Sequence, residues 1–275
     1  MSALHGLGVG WRPEIAGVVA QLTGLSFCEV IAESIGSTAP DLLTGLSVPI
    51  VPHGISLSLG GAETVDEGRV AALARAATLL DAPLVSEHIA FVRAGGVEAG
   101  HLLPVPRTYE SLDALARNIA ITSACVPVPL AVENIAALFD WPDDELTEGE
   151  FLAELIERTD VTLVLDVANV YANALNRKRD PWTELQRLPL DRIAYCHIAG
   201  GRIRDGMYHD THTDPIPAEV LDLLRTMTDS GCTPAVMLER DGHFPPASEL
   251  LAELDAIAAA AGIDSITPET EWAQW

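Results

Sequence analysis

The chain has 275 residues, with 16 basic and 40 acidic side chains and a formal net charge of −24. Hydrophobic residues make up 48% of it, which excludes a disordered protein because so apolar a chain buries itself. The scarce, scattered Lys and Arg residues argue against nucleic acid and against an anionic membrane surface as partners, since both are held by basic side chains. We interpret the acidity as a solubility feature, apart from carboxylates that hold metal cations.

The four cysteines are far apart and form no CxxC pair; they are Cys28, Cys125, Cys196 and Cys232. We therefore predict buried, reduced thiols rather than a zinc knuckle or a disulfide framework. The first residues show no basic region followed by an apolar run, and no window approaches 18 uninterrupted apolar residues. Together these observations predict a cytoplasmic protein without a secretory signal or a membrane span.

Short runs rich in Val, Ile and Leu alternate with longer segments of helical periodicity. The predicted strands cover residues 4–11, 27–33, 48–55, 83–91, 129–135, 162–170, 193–199 and 235–240. The predicted helices lie near residues 12–23, 38–46, 65–81, 108–124, 147–158, 182–188, 216–230 and 246–261. Thr147, followed three residues later by Glu150, resembles a capping box. Eight strands that are each followed by a helix predict one α/β domain over residues 1–275, a closed (β/α)8 TIM barrel, with a doubly wound open sheet as the alternative.

Seven of the eight predicted strands share one feature, a His, Asp or Glu near the carboxyl end. These residues are Glu29 and Glu33, His53, His88, Glu133, Asp166, His197 and Glu239. The carboxyl-end rim of a (β/α)8 barrel carries the active site, so we expect these side chains to converge there. We interpret Glu29 and Glu33 either as buried partners of Arg12 or as groups that support the site from outside.

Residue parity decides which of these side chains can face the barrel axis, because neighbours on a strand point to opposite faces. Only one of Glu87 and His88 can point inward, and we predict that His88 does. We also expect Asp166 to share a strand face with Val164 and Ala168.

Mixed imidazole and carboxylate side chains predict a site for first-row divalent metals, with iron, manganese and zinc all allowed. The candidates outnumber the three or four ligands that one catalytic ion requires, which favours more than one ion. Asp210 and His212 stand two residues apart in the glycine-rich loop after the seventh strand and add to the set. By contrast, we interpret His5, His101 and His243 as ordinary loop or terminal histidines.

Nine segments, in this order along the chain, resemble the multinuclear non-heme iron-dependent oxidative enzymes. The segments are GLGVGWRPE (6–14), EVIAES (29–34), HGISLSLG (53–60), SEHIAF (86–91), VEN (132–134), LDVANVY (165–171), HIAGG (197–201), DTH (210–212) and LER (238–240). The resemblance covers nearly the whole chain and implies a barrel like that of xylose isomerase. Members of that family form the oxazolone and thioamide groups of methanobactin, rearrange peptidyl cysteines or excise their β-carbon.

The resemblance also implies a cluster of two or three iron ions, with dioxygen as co-substrate. By resemblance, the first iron is held by His53, His88 and Glu133, the second by Asp166, His197 and Glu239 with Glu133 bridging, and the third by Asp210 and His212. The six strand-end residues among these are then also the predicted catalytic residues. Asn134 and Asn169 match family positions that bind or orient the cluster.

Two departures from the family pattern concern the pocket rather than the ligands. The Asn that usually follows the Glu of the second strand is Ser34 here. The Pro-Ser that usually follows the Glu-Asn pair of the fifth strand is Ile135-Ala136. Both departures change the expected surroundings of the substrate and leave the predicted ligands intact.

The leading hypothesis is an iron- and dioxygen-dependent oxidase that modifies cysteines of a ribosomally synthesised precursor peptide. The resemblance further implies a small partner protein that presents the leader of this peptide. The first alternative is a metal-dependent sugar isomerase or epimerase on the same barrel, which would use a divalent ion without redox activity and would work without dioxygen. A metal-dependent phosphodiesterase is weaker, because the acidic surface repels a polyanion. The last alternative is a metal-binding module without turnover.

Overall fold

The computed structural model describes residues 4–36 and 43–267 of the chain. Its strands are β1 (Leu7–Gly10), β2 (Phe27–Ile31), β3 (Ile50–Gly54), β4 (Val85–His88), β5 (Ala90–Ala94), β6 (Val97–Pro104), β7 (Leu130–Glu133), β8 (Thr162–Asp166), β9 (Ile193–Ile198), β10 (Gly201–Arg204), β11 (Met207–Asp210) and β12 (Val236–Leu238). Eight of them close into a parallel barrel in the order β1, β2, β3, β4, β7, β8, β9, β12. The predicted (β/α)8 TIM barrel is thereby confirmed.

The α-helices connect successive barrel strands on the outside. They are α1 (Ala16–Val19), α2 (Glu67–Leu79), α3 (Tyr109–Cys125), α4 (Glu148–Thr159), α5 (Val167–Asn176), α6 (Pro181–Leu185), α7 (Ala218–Asp229) and α8 (Ala247–Ala261). The predicted helix at 12–23 is shortened to a 3-10 turn and α1, and the predicted helix at 38–46 falls mostly outside the described residues. The capping box predicted at Thr147 is present at the start of α4.

The sixth predicted strand, at 162–170, ends four residues early. The carboxylate of Asp166 accepts a hydrogen bond from the backbone N–H of Asn169 at 2.7 Å and caps α5, so the chain turns helical at Val167. Ala168 is therefore a helical residue, and the predicted strand face shared by Val164, Asp166 and Ala168 is wrong beyond Asp166. The apolar run that suggested a longer strand is the buried side of α5.

Two β-hairpins, which the sequence reasoning did not predict, rise from the carboxyl ends of barrel strands. The fourth predicted strand, at 83–91, breaks after His88, and β5 and β6 pair antiparallel around Gly95 and Gly96. After β9 the predicted loop is a second hairpin, in which β10 and β11 pair around Asp205 and Gly206. Positive φ angles at these turn residues suit tight hairpin turns. The β10–β11 hairpin ends at Asp210 and therefore carries one predicted ligand.

Side chains of the barrel strands alternate between the barrel interior and the layer beneath the helices. The interior cluster consists of Leu4, Phe27, Val51, Leu84, Ala131, Val164, Ala194, Tyr195, Ala235 and Met237. Gly8 leaves room for this filling, because a Cβ atom there would lie 2.6 Å from the Phe27 ring. The lower part of the barrel is thus a packed apolar core, and the polar side chains lie above it, toward the rim.

The cysteines differ from one another in burial. Cys28 and Cys196 are buried as predicted, but Cys125 is exposed at the end of α3 and Cys232 is half-buried, so the prediction of four buried thiols is wrong for these two. All four are free thiols among the described residues. In the same part of the chain, no helix is long and apolar enough to cross a membrane.

Candidate metal centre

Seven of the eight predicted strand-end residues, all except Glu33, share one position in the barrel: each stands two residues beyond an inward-facing side chain. The pairs are Phe27 and Glu29, Val51 and His53, Ser86 and His88, Ala131 and Glu133, Val164 and Asp166, Tyr195 and His197, and Met237 and Glu239. Because side chains alternate along a strand, every second member of these pairs also faces the axis. They form a layer in which no residue is more than 9% exposed.

The first candidate ligand group contains His53, His88 and Glu133, whose ligand atoms lie within 4.8 Å of one another. Oε2 of Glu133 is 3.4 Å from Nε2 of His53 and 3.5 Å from Nε2 of His88. His88, and not Glu87, belongs to this group. The carboxylate of Glu87 instead accepts a hydrogen bond from the backbone N–H of Leu57 at 2.9 Å. Two imidazoles and one carboxylate thus surround a common point.

The second candidate ligand group contains Glu133, Asp166, His197 and Glu239. Nδ1 of His197 lies 3.2 Å from Oε1 of Glu133 and 3.0 Å from Oε2 of Glu239. Glu133 therefore belongs to two groups and turns a different oxygen toward each. This is the arrangement of a carboxylate that can bridge two ions.

The third candidate ligand group contains Asp166, Asp210 and His212. Nε2 of His212 contacts Oδ2 of Asp210 and lies 3.9 Å from Oδ2 of Asp166. His212 has a φ of 54°, an uncommon conformation for a residue with a side chain. Its backbone N–H donates to the carbonyl of Gly200 at 2.9 Å, and its carbonyl accepts from the N–H of Asp241 at 2.8 Å. The surrounding backbone therefore holds His212 over the rim, and strain of this kind is typical of functional sites.

A fourth group, His212, Glu239 and Asp241, includes a residue that the sequence reasoning did not select. Asp241 stands two residues after Glu239, and that spacing is the signal that could have found it. Arg12 already occupies one side of Asp241, with Nη2 at 2.5 Å and Nε at 3.1 Å from Oδ1. Oδ2 of Asp241 lies 3.2 Å from Nδ1 of His212. Asp241 is thus placed to orient the His212 ring while Arg12 balances its charge.

Asn134 and Asn169 lie beside the ligand groups. The amide of Asn134 brackets the backbone of Asp166: Oδ1 accepts from the N–H at 2.9 Å and Nδ2 donates to the carbonyl at 3.1 Å. Nδ2 of Asn169 donates to the carbonyl of Asn134 at 3.0 Å. Because both amide atoms of Asn134 are used, its role in this structure is to hold the end of β8. Within the described chain, Oδ1 of Asn169 is buried and has no hydrogen-bond partner.

The two glutamates of the second predicted strand, Glu29 and Glu33, have different surroundings. Glu29 is fully buried, and its Oε2 accepts from Nε2 of His197 at 2.8 Å, so it supports the site. Glu33 is exposed in a 3-10 turn and accepts from the backbone N–H of Ile55 at 3.1 Å. The alternative that both are buried partners of Arg12 is wrong, because Arg12 pairs with residues at the end of β12. The three histidines predicted to lie in loops or at a terminus, His5, His101 and His243, are all exposed. His101 lies in β6, so the loop prediction is wrong for this residue.

Imidazole and carboxylate charges stabilise each other around Glu133. Burial alone would raise the pKa of Glu133, but the positive charges of His197, His88 and His53 outweigh burial and bring this pKa to about 2. Burial would lower the pKa of His88, yet the negative charge of Glu133 and its neighbours raises it to about 9. In the absence of a metal, protons on the imidazoles therefore balance the buried carboxylate.

Around the third group the balance differs, because two carboxylates face each other. Burial and the negative charge of Asp210 raise the pKa of Asp166 well above its usual range. Burial would also raise the pKa of Glu239, but the charges of His212 and His197 hold it well below its usual range. The excess of buried negative charge near Asp166 is what a divalent cation would neutralise.

The residues present fit metal ions. Within residues 4–36 and 43–267, several candidate ligands carry a buried oxygen without a hydrogen-bond partner: Oε2 of Glu133, Oδ2 of Asp166, Oδ1 of Asp210 and Oε2 of Glu239. Burial of a carboxylate oxygen without a hydrogen-bond partner costs free energy, and a bound cation would supply the missing partner. Imidazole nitrogens mixed with carboxylate oxygens suit first-row divalent metals.

Comparison with known proteins identifies the family to which the sequence is similar. Residues 6–262 match the family model described as "RiPP precursor modification enzyme MbnB/TglH/ChrH", where RiPP denotes a ribosomally synthesised and post-translationally modified peptide. A UPF0276 protein of Streptomyces avermitilis is 53% identical over 263 residues, which cover 92% of this chain but 54% of that protein. The chain thus spans about half the length of that relative. A UPF0276 protein of Caulobacter vibrioides is 34% identical over 266 residues, 94% of this chain and 95% of that protein.

Solved structures similar to this chain share its barrel. Endonuclease IV from Thermus thermophilus superposes with a TM-score of 0.60 at 19% identity, over 94% of this chain and 99% of that one. D-psicose 3-epimerase from Clostridium cellulolyticum gives a TM-score of 0.59 at 12% identity, over 93% and 99% of the two chains. A xylose isomerase domain protein from Planctomyces limnophilus gives 0.59 at 13% identity, over 94% and 96%. At these identities the likeness shows the fold, a xylose-isomerase-like barrel.

Proposed function

We propose that this chain, which belongs to the MbnB/TglH/ChrH family of RiPP precursor modification enzymes, is an iron- and dioxygen-dependent oxidase acting on cysteine residues of a precursor peptide. Oxazolone or thioamide formation, cyclisation and β-carbon excision are the outcomes we consider. The observation that carries the proposal is the division of Glu133 between two ligand groups. One shared carboxylate would hold two ions side by side, an arrangement that offers separate positions for a thiolate and for dioxygen.

The proposed ligand sets follow the groups in the structure. We assign His53, His88 and Glu133 to the first ion, Glu133, Asp166, His197 and Glu239 to the second, and Asp166, Asp210 and His212 to the third. Iron bound there would supply the redox chemistry, with dioxygen as the acceptor of electrons from the substrate. The protein supplies the geometry, the charge and the exclusion of water.

Among the candidate ligands, the side chains of His212 and Asp241 are the most exposed. The side chain of His212 is 17% exposed and that of Asp241 is 37% exposed, whereas His197 is fully buried. We therefore infer that access to the site lies beside His212 and Asp241. We propose that the cysteine of the peptide enters from this side, while the packed interior beneath the centre keeps water out.

Proton handling is the second task that these side chains can perform. The His88 imidazole, with a pKa of about 9, holds a proton at neutral pH in the metal-free protein. Burial would lower the pKa of His212, but the carboxylates of Asp210, Glu239 and Asp241 outweigh burial and raise this pKa well above the usual range. Groups that are already protonated can donate a proton but cannot accept one, so the proton that a cysteine thiol releases has to leave by another route.

Two further proposals concern the surroundings of the enzyme. We propose a small partner protein that presents the leader of the precursor peptide, on the basis of the family resemblance. A cytoplasmic location agrees with four free cysteines, since disulfides are rare in that compartment.

The test starts with protein purified without dioxygen. Elemental analysis and Mössbauer spectroscopy should find two or three irons per chain with antiferromagnetic coupling. Addition of dioxygen and a cysteine-bearing peptide encoded beside the gene should change the mass of the peptide, and the same peptide with Cys→Ser should remain unmodified. A single zinc, manganese or magnesium ion that iron does not displace, together with oxygen-independent conversion of a sugar, would instead establish the isomerase or epimerase alternative.

A further inference from the structure

A relay of hydrogen bonds runs beneath the candidate metal centre and joins two of its histidines. Nδ1 of His53 is 2.8 Å from Oγ of Ser86, which is 2.9 Å from the hydroxyl of Tyr195. That hydroxyl donates to Oε2 of Glu29 at 2.5 Å, and Nε2 of His197 reaches the same oxygen at 2.8 Å. All five side chains are at most 2% exposed. The first and second ligand groups are thus connected from below as well as through Glu133.

The direction of every hydrogen bond in this relay follows from Glu29. A carboxylate only accepts, so Tyr195 and His197 must both donate to it. Tyr195 has one hydroxyl proton, which is used on Glu29, so its oxygen accepts from Ser86. The single hydroxyl proton of Ser86 is then used as well, and Ser86 accepts from N–H at Nδ1 of His53. One carboxylate therefore determines which nitrogen carries the proton in two different rings.

We infer that Glu29 is a positioning residue that fixes the tautomers of His53 and His197, so that His197 presents Nδ1 and His53 presents Nε2 to the metal ions. This inference rests on the proposed metal centre. Nδ1 of His197, the nitrogen that does not contact Glu29, faces Glu133 and Glu239 at 3.2 and 3.0 Å. Nε2 of His53, the nitrogen that does not contact Ser86, faces the other oxygen of Glu133 at 3.4 Å. Each imidazole thus turns toward the carboxylates of its own group the nitrogen on which a metal ion would replace a proton.

Burial of Glu29 is hard to explain by packing alone. Its side chain is fully buried on the same strand face as Phe27, where an apolar residue would fill the interior. Among the described residues its Oε1 has no hydrogen-bond partner, which costs free energy. A carboxylate at this position can accept from both Tyr195 and His197, which an apolar residue could not do. Orientation of a ligating histidine by a carboxylate is a common way to tune a metal site.

The direct test is NMR of the protein labelled with 15N-histidine and loaded with Zn(II), which is diamagnetic. Long-range 1H–15N correlations identify the protonated nitrogen and the metal-bound nitrogen of each ring. We expect zinc on Nδ1 and a proton on Nε2 of His197, and the reverse in His53, with the signals assigned from His197→Gln and His53→Gln. Zinc on Nε2 of His197 would overturn the inference while leaving the metal centre in place. Failure to bind metal at all would instead contradict the proposed function.

Variants of the relay separate positioning from structure. Glu29→Leu should weaken Zn(II) binding at the second position by about 10- to 100-fold, and Glu29→Gln, which keeps an oxygen acceptor, should weaken it less. Ser86→Ala should weaken only the first position. Tyr195→Phe keeps the aromatic ring in the core, so this variant can test the inference even if Glu29→Leu does not fold. We expect mixed tautomers of His53 in Tyr195→Phe and an unchanged tautomer of His197. Equal losses at both positions in Ser86→Ala and Glu29→Gln, or an unchanged His53 spectrum in Tyr195→Phe, would show a merely structural role.

Discussion

Glu133 and Asp166 stand at the ends of the neighbouring strands β7 and β8, and each of them belongs to two candidate ligand groups. The groups therefore form a row in which one carboxylate joins the first to the second and the other joins the second to the third. Removal of a shared carboxylate should affect two positions, whereas removal of an imidazole should affect one.

The first prediction concerns Glu133. Glu133→Ala should lose two ions per chain, because both of its oxygens face ligand groups, while His53→Ala should lose one. Elemental analysis of protein reconstituted with Fe(II) without dioxygen gives the counts. Glu33→Ala is the matched control, since Glu33 is an exposed carboxylate in the 3-10 turn that follows β2. Equal metal contents in Glu133→Ala and His53→Ala would contradict the shared role.

The second prediction concerns Asp166, which joins the second and third groups. Asp166→Ala should cost both of these ions, whereas His197→Ala should cost only the second and His212→Ala only the third. Stepwise removal with a chelator, followed by elemental analysis, separates these cases. Full occupancy in both Asp166→Ala and His197→Ala would refute the assignment of the second position.

A third prediction uses a close approach of two backbone segments. A Cβ atom on Gly200 would lie 1.9 Å from the carbonyl oxygen of Asp214, so Gly200→Ala must displace the segment that carries His212. The barrel itself is untouched, and we expect loss of the third ion with an unchanged far-ultraviolet circular dichroism spectrum. Gly17→Ala is the control, because no described atom lies within 4 Å of the place that its Cβ atom would take. Retention of all ions in Gly200→Ala would show that the segment adapts.

The fourth prediction is that metal binding strengthens as pH rises. In the metal-free protein the pKa of His88 is raised from 6.5 to about 9, so the ring is protonated near neutral pH and an ion must displace that proton. Each displaced proton should raise the apparent affinity by up to about tenfold per pH unit below this pKa. The carboxylate of Glu133, with a pKa of about 2, stays ionised throughout and contributes nothing to this slope.

The same shift also sets the stability of the metal-free protein. A raised histidine pKa stabilises the fold fully below the unfolded value of 6.5, and that contribution is lost as pH rises through about 9. The metal-free protein should therefore lose stability over this range while its affinity for metal grows. Thermal unfolding with and without Zn(II) should show a larger metal-dependent rise in Tm near pH 8 than near pH 6. A constant rise would contradict proton displacement.

A fifth prediction separates stability from metal binding. The hydroxyl of Thr147 accepts from the backbone N–H of Glu150 and completes the capping box of α4. Thr147→Ala should lower the free energy of unfolding by about 1 kcal/mol. Metal content should not change, because α4 begins away from the ligand groups. Chemical denaturation together with elemental analysis checks both statements, and a loss of metal in this variant would show that α4 does support the site.

The barrel and most of the centre were predictable because they depend on local periodicity. Strand spacing predicted the eight-stranded barrel. Parity required a choice between Glu87 and His88, and His88, which we chose, belongs to the first ligand group. The same parity also applies to Glu29, but its role depends on Tyr195, which is 166 residues away in sequence. No local pattern reveals that contact, and the closed barrel alone creates it. Asp241 was missed although its spacing from Glu239 was informative.

Errors at the element boundaries have a different origin. The apolar run after Asp166 fits either a strand or a buried helix, and only the cap formed by Asp166 itself decides for the helix. The turn residues of both hairpins, Gly95-Gly96 and Asp205-Gly206, were visible in the sequence. Strands β6 and β10 are largely exposed and lack the alternation of buried and exposed residues that marks a half-buried strand. Such hairpins are recognised by the turn rather than by the strands.

Helix α5 connects the second and third ligand groups mechanically. The side chain of Asp166 caps the first turn of the helix. In the last turn, the amide of Asn176 binds the backbone of Tyr208 in β11: it donates to the carbonyl at 2.9 Å and accepts from the N–H at 2.8 Å. A helix of 10 residues spans about 15 Å, so it acts as a rigid strut of fixed length. The hairpin that carries Asp210 therefore cannot tilt away from Asp166 unless α5 moves as well. Opening and closing of the centre would then have to be a rigid-body movement of helix and hairpin together.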